Sequence, residues 1–238
     1  MKQKSGLPAA LWAKRIFIYV CGLFFIATGI AFSARSGLGV APVGSPANVL
    51  YQIGLSRGLP ERIFNLGNWT IAVYCVYILA QIVMLGKRFR PIQLLQIVVS
   101  ILFGYLVNLT SSLLSFLPSA GNYAVRMLYL LISIPFVAAG VMLYLTPKLI
   151  PTPGEGCAVA IAELAHTSVA AGKTIFDCTV VSISVILSLV HFHGLVGVRE
   201  GTVISALTTG FVIRQLQKPF QAPLTRFVQR GESADQKE

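Results

Sequence analysis

The chain has 238 residues, 55% of them hydrophobic and only 11% charged, with a mean hydropathy of +0.75 and a formal net charge of +11. A soluble domain carries about 25% charged residues, so the composition excludes an ordinary water-soluble globule and points to a membrane-embedded chain. The basic excess is no nucleic-acid footprint, because Lys and Arg gather at the ends of apolar runs, above all in the short segment 86–91.

The first apolar run, Ile16–Ala34, follows Lys2, Lys4, Lys14 and Arg15. It is longer than the ~7–15 residues of a signal-peptide core, so it reads as a retained helix. Uncharged runs follow at Trp69–Leu85, Ile92–Leu117 and Met127–Pro147. Cys178–Val190 spans only if the helix starts near Thr174 and includes Asp177. Gly201–Leu216 is a weaker sixth candidate because Arg214 lies in its last turn. A crossing helix needs ~20 predominantly apolar residues. With the N-terminus cytoplasmic and six spans, 14 of the 19 Lys and Arg fall on the cytoplasmic side, the asymmetry expected of inner-membrane proteins. The segments then read as a basic start (1–15), a first membrane repeat (16–117), a second (125–217) and a disordered cytoplasmic tail (218–238).

The two repeats rest on matches in a common order. Gly29-Ile30 matches Gly140-Val141, Pro42 matches Pro153, and Ala47 matches Ala158, all at a separation of 111. "IFN" (63–65) matches "IFD" (175–177) at 112, and Gly104 matches Gly210 at 106. Three spans per half turn the second half over, giving an inverted repeat of the kind found in many secondary transporters. The fold class is therefore all-α and polytopic. It has about six transmembrane helices in two inverted three-helix repeats, each carrying a Gly/Pro-rich break and a short re-entrant or interfacial helix. The short helices are expected near 45–58 and 156–170. Irregular backbone at membrane depth needs protein or a watery cavity around it, so the breaks at 37–46 and 151–156 are expected to face each other.

Candidate binding residues follow from this arrangement. Glu155, between Gly154 and Gly156 in "PTPGEG", and Asp177, inside a span, are the leading ion- or proton-linked carboxylates. Pro42 and Pro153 mark the breaks, and Asn65, Gln96 and Glu200 are second choices. Two readings of Asp177 stand: a functional acid, or a helix-start residue paired with Lys173. Glu155 likewise is either a coupling group or a cap stabilised by the helix dipole. Gln93, Gln96, Ser100, Gly104 and Asn108 form one helical stripe, read either as a cavity lining or as interhelical hydrogen bonding. Glu200 beside Arg199 is a helix cap or an outer gate pair, and Arg35 and Arg126 are interfacial anchors.

Cys21, Cys75, Cys157 and Cys178 have no metal-type spacing, and no disulfide, metal site or cofactor is expected. The "HFH" histidines, His191 and His193, point to different sides of a helix. No catalytic constellation is visible, so no enzyme is expected. Expected partners are the bilayer and an unidentified small solute or ion, with no nucleic acid; homo-oligomerisation stays open.

The stretches "SGLGVAP" (36–42), "PGEG" (153–156), "GKTIFD" (172–177) and "GVREGTVISALTTG" (197–210) resemble those of bacterial YczE/YyaS/YitT-type integral membrane proteins, over about residues 15–217. That resemblance implies a multi-pass protein of the bacterial inner membrane, often described as a transporter or permease, and it supplies no substrate. Members often carry a polar or acidic residue before Leu-Gly and Trp after the Pro; here those places hold Gly37 and Val43. The leading expectation is a small secondary transporter. The alternative is a non-transporting membrane scaffold or regulatory protein, and the discriminating feature is a cavity between the two breaks against a dry, packed interface.

Overall fold

The computed structural model describes residues 9–118 and 120–229. These residues form eight α-helices joined by short 3-10 turns, with no strand and one isolated bridge among them. The helices are α1 (Ala9–Ser36), α2 (Ser45–Ser56), α3 (Leu66–Leu85), α4 (Gln96–Leu113), α5 (Tyr123–Leu145), α6 (Pro153–Leu164), α7 (Val169–Phe192) and α8 (Glu200–Gln229). Five stretches are long and apolar enough to cross a membrane: Leu11–Ser36, Leu66–Arg88, Pro91–Phe116, Tyr123–Leu145 and Val169–Phe192. Their outward faces are apolar, with Val83, Val190 and Phe116 among the most exposed side chains, as expected where lipid replaces water as the solvent. The protein is thus of multi-pass, helical membrane type.

The weak sixth candidate, α8, is a helix but is not among these five. It also runs further than expected. Residues 218–229, read from composition as the start of a disordered tail, continue the helix through Pro219 and Pro223. Val228 is buried and Phe227 receives the Lys14 ammonium over its ring. Both contacts give this end a tertiary anchor that its polarity conceals. The rest of the tail, and residues 1–8, lie outside the described residues.

α1 and α5 cross antiparallel at the centre, and small residues allow their backbones to meet. A Cβ on Gly22 would lie 2.8 Å from the Gly140 carbonyl oxygen, and one on Gly29 would lie 2.9 Å from the Ser133 oxygen. α3 and α4 form a second close pair. The Gly67 N–H donates to Asn108 Oδ1 at 2.8 Å, and Gly67 and Gly104 back onto each other. α4 packs on α1, and α8 packs on α5. α7 and α8, by contrast, barely touch.

The helix starts follow local chemistry. Asn65 accepts from Asn68 N–H (2.9 Å), Asn122 from Val125 N–H (2.9 Å) and Ser168 from Ala171 N–H (3.2 Å), each satisfying a donor the helix cannot. α2 and α6 begin with Pro in their first two positions, where the missing N–H is no loss.

Candidate functional site where the two breaks meet

Break one, residues 37–44, is held on the connection between α7 and α8. Gly37 and Gly39 take positive φ values of 67° and 102°, a region open to Gly. A Cβ on Gly39 would also lie 2.8 Å from Arg199 N. Ser33 Oγ donates to the Gly39 oxygen (2.8 Å), Gly39 pairs antiparallel with Val198, and Gly201 N–H donates to the Leu38 oxygen (2.9 Å). Asn48, buried in α2, donates to the Gly197 oxygen at 2.7 Å. This seam satisfies the irregular backbone with protein groups, which a dehydrated environment requires.

Break two, residues 146–152 taken together with the first turn of α6 (Pro153–Gly156), is held by side chains from α1 and α3. Tyr19 donates its hydroxyl hydrogen to the Ile150 oxygen at 2.8 Å. Gln81 Nε2 donates to the Pro153 oxygen (3.0 Å) and to Gln96 Oε1 (3.0 Å), while Gln96 Nε2 donates back to Gln81 Oε1 (3.2 Å). Both amides are fully buried. Gly156 lies flat against Gln81, where a Cβ would fall 2.9 Å from Nε2. The side of α6 carrying Gly156 thus needs glycine for close approach, not for backbone freedom.

The two breaks meet. A Cβ on Gly154 would lie 2.6 Å from Val43 Cγ1. Next to this contact is a cavity of about 330 Å³. Pro42, Val43 and Gly44 of break one line it, with Thr152 and Glu155 opposite. Tyr74, Phe103 and Tyr144 supply aromatic wall, Lys173 and Asp177 come from α7, and Ser205, Thr209 and Gly210 come from α8. The volume falls in the range of small-molecule pockets, roughly 300–1,000 Å³.

Its charges are unequal. Lys173 and Asp177 form an ion pair one helical turn apart. Glu155 forms no ion pair among the described residues; its carboxyl lies near the Thr152 backbone and feels the Lys173 charge at longer range. Glu155 lies outside the five spanning stretches, yet burial pushes its carboxyl up to about 7, against the smaller opposing pulls of Lys173 and Thr152. The Tyr144 side chain is buried, and its hydroxyl has no hydrogen-bond partner among the described residues.

This shift has a stability consequence. A carboxyl whose folded pKa is raised favours the folded state while protonated. Stability should therefore fall as pH rises from about 4.5 to about 7 and level off above. In Glu155→Gln that fall should shrink, read as the unfolding temperature of the purified chain at a series of pH values.

The sequence-derived candidates separate under this geometry. Glu155, Asp177 and Pro42 line the cavity. Pro153 and Gly154 are buried at the meeting point of the breaks, and Gly156 is buried against Gln81. Gln96 belongs to the buried amide pair, not to the cavity wall. The stripe on α4 is accordingly interhelical: Ser100 and Gly104 are buried and Asn108 bonds α3, while Gln93 precedes the helix and accepts from Arg90 N–H at 3.0 Å. Glu200 pairs with Arg199 (3.2 Å) at the seam of break one, away from the cavity. Arg35 bonds the Ser115 and Leu117 oxygens, and Arg126 bonds the Ala120 oxygen at 3.3 Å. Both tie down the chain after α4.

Asn65 requires a correction. It does not share a place with Asp177: Asn65 caps α3, whereas Asp177 is nine residues into α7. Asn65 instead lines a separate cleft of about 490 Å³ with Arg35, Glu61 and Asn108. The cap of α7 is Ser168, nine residues before Asp177, so the "IFN" and "IFD" triplets sit at different places on their helices. Gly104 and Gly210 also part company. Gly104 is packed on α3, while a Cβ on Gly210 would meet nothing within 4 Å.

Sequence reasoning overlooked Gln81, Tyr74 and Tyr144. Gln81 was detectable as the lone amide in the uncharged run Trp69–Leu85, since polar groups at such depth carry a cost and need partners. The two tyrosines gave no comparable signal.

Fold and site together define a helical membrane-type protein with a cavity where its two chain breaks meet. The chain belongs to a family of unknown function, DUF6198, whose model matches residues 13–218. No curated protein and no solved structure matches it.

Proposed function

We propose that this chain is a small secondary transporter or permease of the bacterial cytoplasmic membrane, moving a small solute or ion through the cavity between its breaks. The observation that carries the reading is that cavity: two breaks touch beside it, and a carboxylate with no ion-pair partner among the described residues lines it. A scaffold has no need of a cavity lined with charge.

The reading takes α8 as a sixth span and the two halves as inverted repeats. Paired contacts support this. Shifting α1 by 111 residues exchanges Gly22 with Ser133 and Gly29 with Gly140, so the Gly22–Gly140 approach becomes the Gly29–Ser133 approach. With α3 shifted by 103, Gln81 on Gly156 corresponds to Ser184 on Ser45, the latter pair 2.9 Å apart. The Arg88–Glu163 ion pair (3.6 Å) has its counterpart, within one helical turn, in Ser56 against His191 (2.9 Å). Both α2 and α6 then run back toward the face from which their breaks entered, as re-entrant helices do. The narrower likeness to YczE/YyaS/YitT-type proteins agrees with this picture.

The halves are alike in fold but not in conformation. α3 and α4 are closed on each other, while α7 and α8 have a gap with the cavity beside it. Break one is zipped to the α7–α8 connection by backbone pairing. With both termini cytoplasmic, as the Lys and Arg distribution favours, that seam lies on the outer side, which supports reading this arrangement as inward-facing. Transport would then exchange the roles of the two helix pairs around a fixed site.

The test needs no substrate. Thr209→Cys or Val141→Cys is introduced after replacement of Cys21, Cys75, Cys157 and Cys178. Labelling by a membrane-impermeant thiol reagent is expected in inverted vesicles and, more slowly, in right-side-out vesicles. Labelling from one side only, or from neither, would return the protein to the scaffold reading.

A further inference from the structure

The cavity also limits what it carries, given the transport reading above. We infer that the cargo is a small organic monocation, an amine bound as its ammonium with a compact apolar body, and that Glu155 is its counter-ion.

The charge balance comes first. The ionised side chains lining the cavity are Glu155, Lys173 and Asp177. Lys173 and Asp177 satisfy each other, leaving one carboxylate. A buried charge left uncompensated costs several kcal/mol, so the ionised site calls for one positive charge from a ligand. An anion would meet Glu155 with the only nearby ammonium already engaged, a like-charge penalty that rejects it.

Size and wall chemistry then separate cations. A space of about 330 Å³ is far larger than a single bare ion. Among the described residues no group of three or more His, Cys, Asp or Glu is placed to hold a metal. Ile26, Ile30, Val137 and Val141 line the space with aliphatic groups, which suit an alkyl or aryl body rather than a hydrated ion. Tyr74 and Phe103 are stacked, with centroids 5.6 Å apart and planes 6° from parallel, and both belong to the wall. Aromatic rings stabilise an ammonium by about 0.5–2 kcal/mol. The unpartnered Tyr144 hydroxyl on the same wall is an unspent hydrogen-bonding group. An N–H or hydroxyl of the bound molecule supplies what it lacks.

A proton is the natural competitor. When the cation leaves, Glu155 takes up a proton; when a cation binds, that proton is released. The site therefore exchanges one positive charge for another. The groups facing Glu155 are Tyr19 on α1, Tyr74 on α3, Tyr144 on α5 and Lys173 and Asp177 on α7, while α8 offers only the hydroxyls of Ser205 and Thr209. With the Glu155 carboxyl near 7, the empty site is about half protonated at neutral pH.

The experiment uses the purified full chain in detergent, with butylammonium chloride as the probe and sodium butyrate and butanol as charge and shape controls. Butylammonium should raise the unfolding temperature in a saturable way, while butyrate and butanol should not. Its apparent affinity should be about tenfold weaker at pH 6 than at pH 8, the effect of one competing proton with a pKa near 7. Glu155→Gln should abolish the shift, and Tyr144→Phe should weaken it. Should Glu155→Gln fail to fold, the wild type still decides: butylammonium added to weakly buffered protein at pH 7 should release protons. A shift with butyrate, an equal shift with butanol, no saturable shift, or no proton release would each overturn the assignment. The cysteine test is independent of any amine. Two-sided labelling without amine binding leaves transport standing and removes the cargo class; the reverse pattern removes transport and keeps an amine-binding site.

Discussion

Gly140→Leu is expected to be the most damaging single change in this protein, because it forces apart the two helices on which everything else is built. A Cβ at this position would lie 2.6 Å from Ile26 N and 2.7 Å from the Gly22 oxygen. Both are backbone atoms in the middle of α1, and neither can turn aside as a side chain would. Overpacking a well-filled core costs about 1–3 kcal/mol, and here the contacts are backbone on both sides, so the upper end or beyond is expected. In a membrane the association of helices depends on close van der Waals approach rather than on the hydrophobic effect, which leaves little to offset the lost contact. The measurement is thermal unfolding of the purified chain in detergent, with gel filtration to check that it stays monodisperse. Gly210→Ala is the control. Gly210 lies in α8 with open space at its Cβ position, so alanine should be neutral or stabilising by up to about 1 kcal/mol through helix propensity. A Gly140→Leu protein as stable as wild type would mean that α1 and α5 do not cross as described.

Gln81→Leu should be nearly as costly, for a polar reason. Gln81 is 0% exposed and bonds both Gln96 and the Pro153 carbonyl. Leucine matches its bulk but leaves the Gln96 amide and the Pro153 oxygen without these partners. An orphaned buried amide costs about 1–3 kcal/mol, and the Pro153 oxygen, which keeps its own helical bond as the first residue of α6, adds less. The double variant Gln81→Leu/Gln96→Leu removes the orphaned amide and should recover part of the loss. A double-mutant cycle between the two positions should therefore show coupling above about 0.5 kcal/mol. Simple additivity would indicate that the amides do not act as a pair. The same change bears on function, because Gln81 fixes the start of α6 and Glu155 lies two residues beyond Pro153. Loosening that hold should also blunt the pH dependence assigned to Glu155.

Much of this could be read from the chain, and the reasons are local. A 19-residue uncharged run such as Ile16–Ala34 has few fates other than a spanning helix. Pro42 and Pro153 mark breaks because Pro suits the first turn of a helix and disrupts its interior. The short helices at Ser45–Ser56 and Pro153–Leu164 lie close to their expected positions. Glu155 and Asp177 stood out because acids are few in so apolar a sequence. The readings that failed depended on register. The triplets at 63–65 and 175–177 are alike in letters, yet the helices they belong to start at Leu66 and Val169. Three similar residues cannot specify the phase of a 24-residue helix. The helical continuation through 218–229 was hidden for a related reason: its composition is polar, and only contacts such as that of Lys14 with Phe227 tie it to the bundle.

By itself the sequence determined where the chain is apolar enough to span, where its backbone must break, and which few carboxylates stand near the breaks. These are properties of single residues and of short periodic patterns, and they need no knowledge of neighbours. Only the tertiary structure decided which groups face one another. It joined Gln81 to Pro153, gave Lys173 to Asp177, left Glu155 without an ion-pair partner among the described residues, and set α8 apart from α7 while α3 closed on α4. Those outcomes depend on helix rotation and depth. They are set by where glycines let backbones touch and by which buried polar atoms find partners, and neither condition is written in any one segment of the chain.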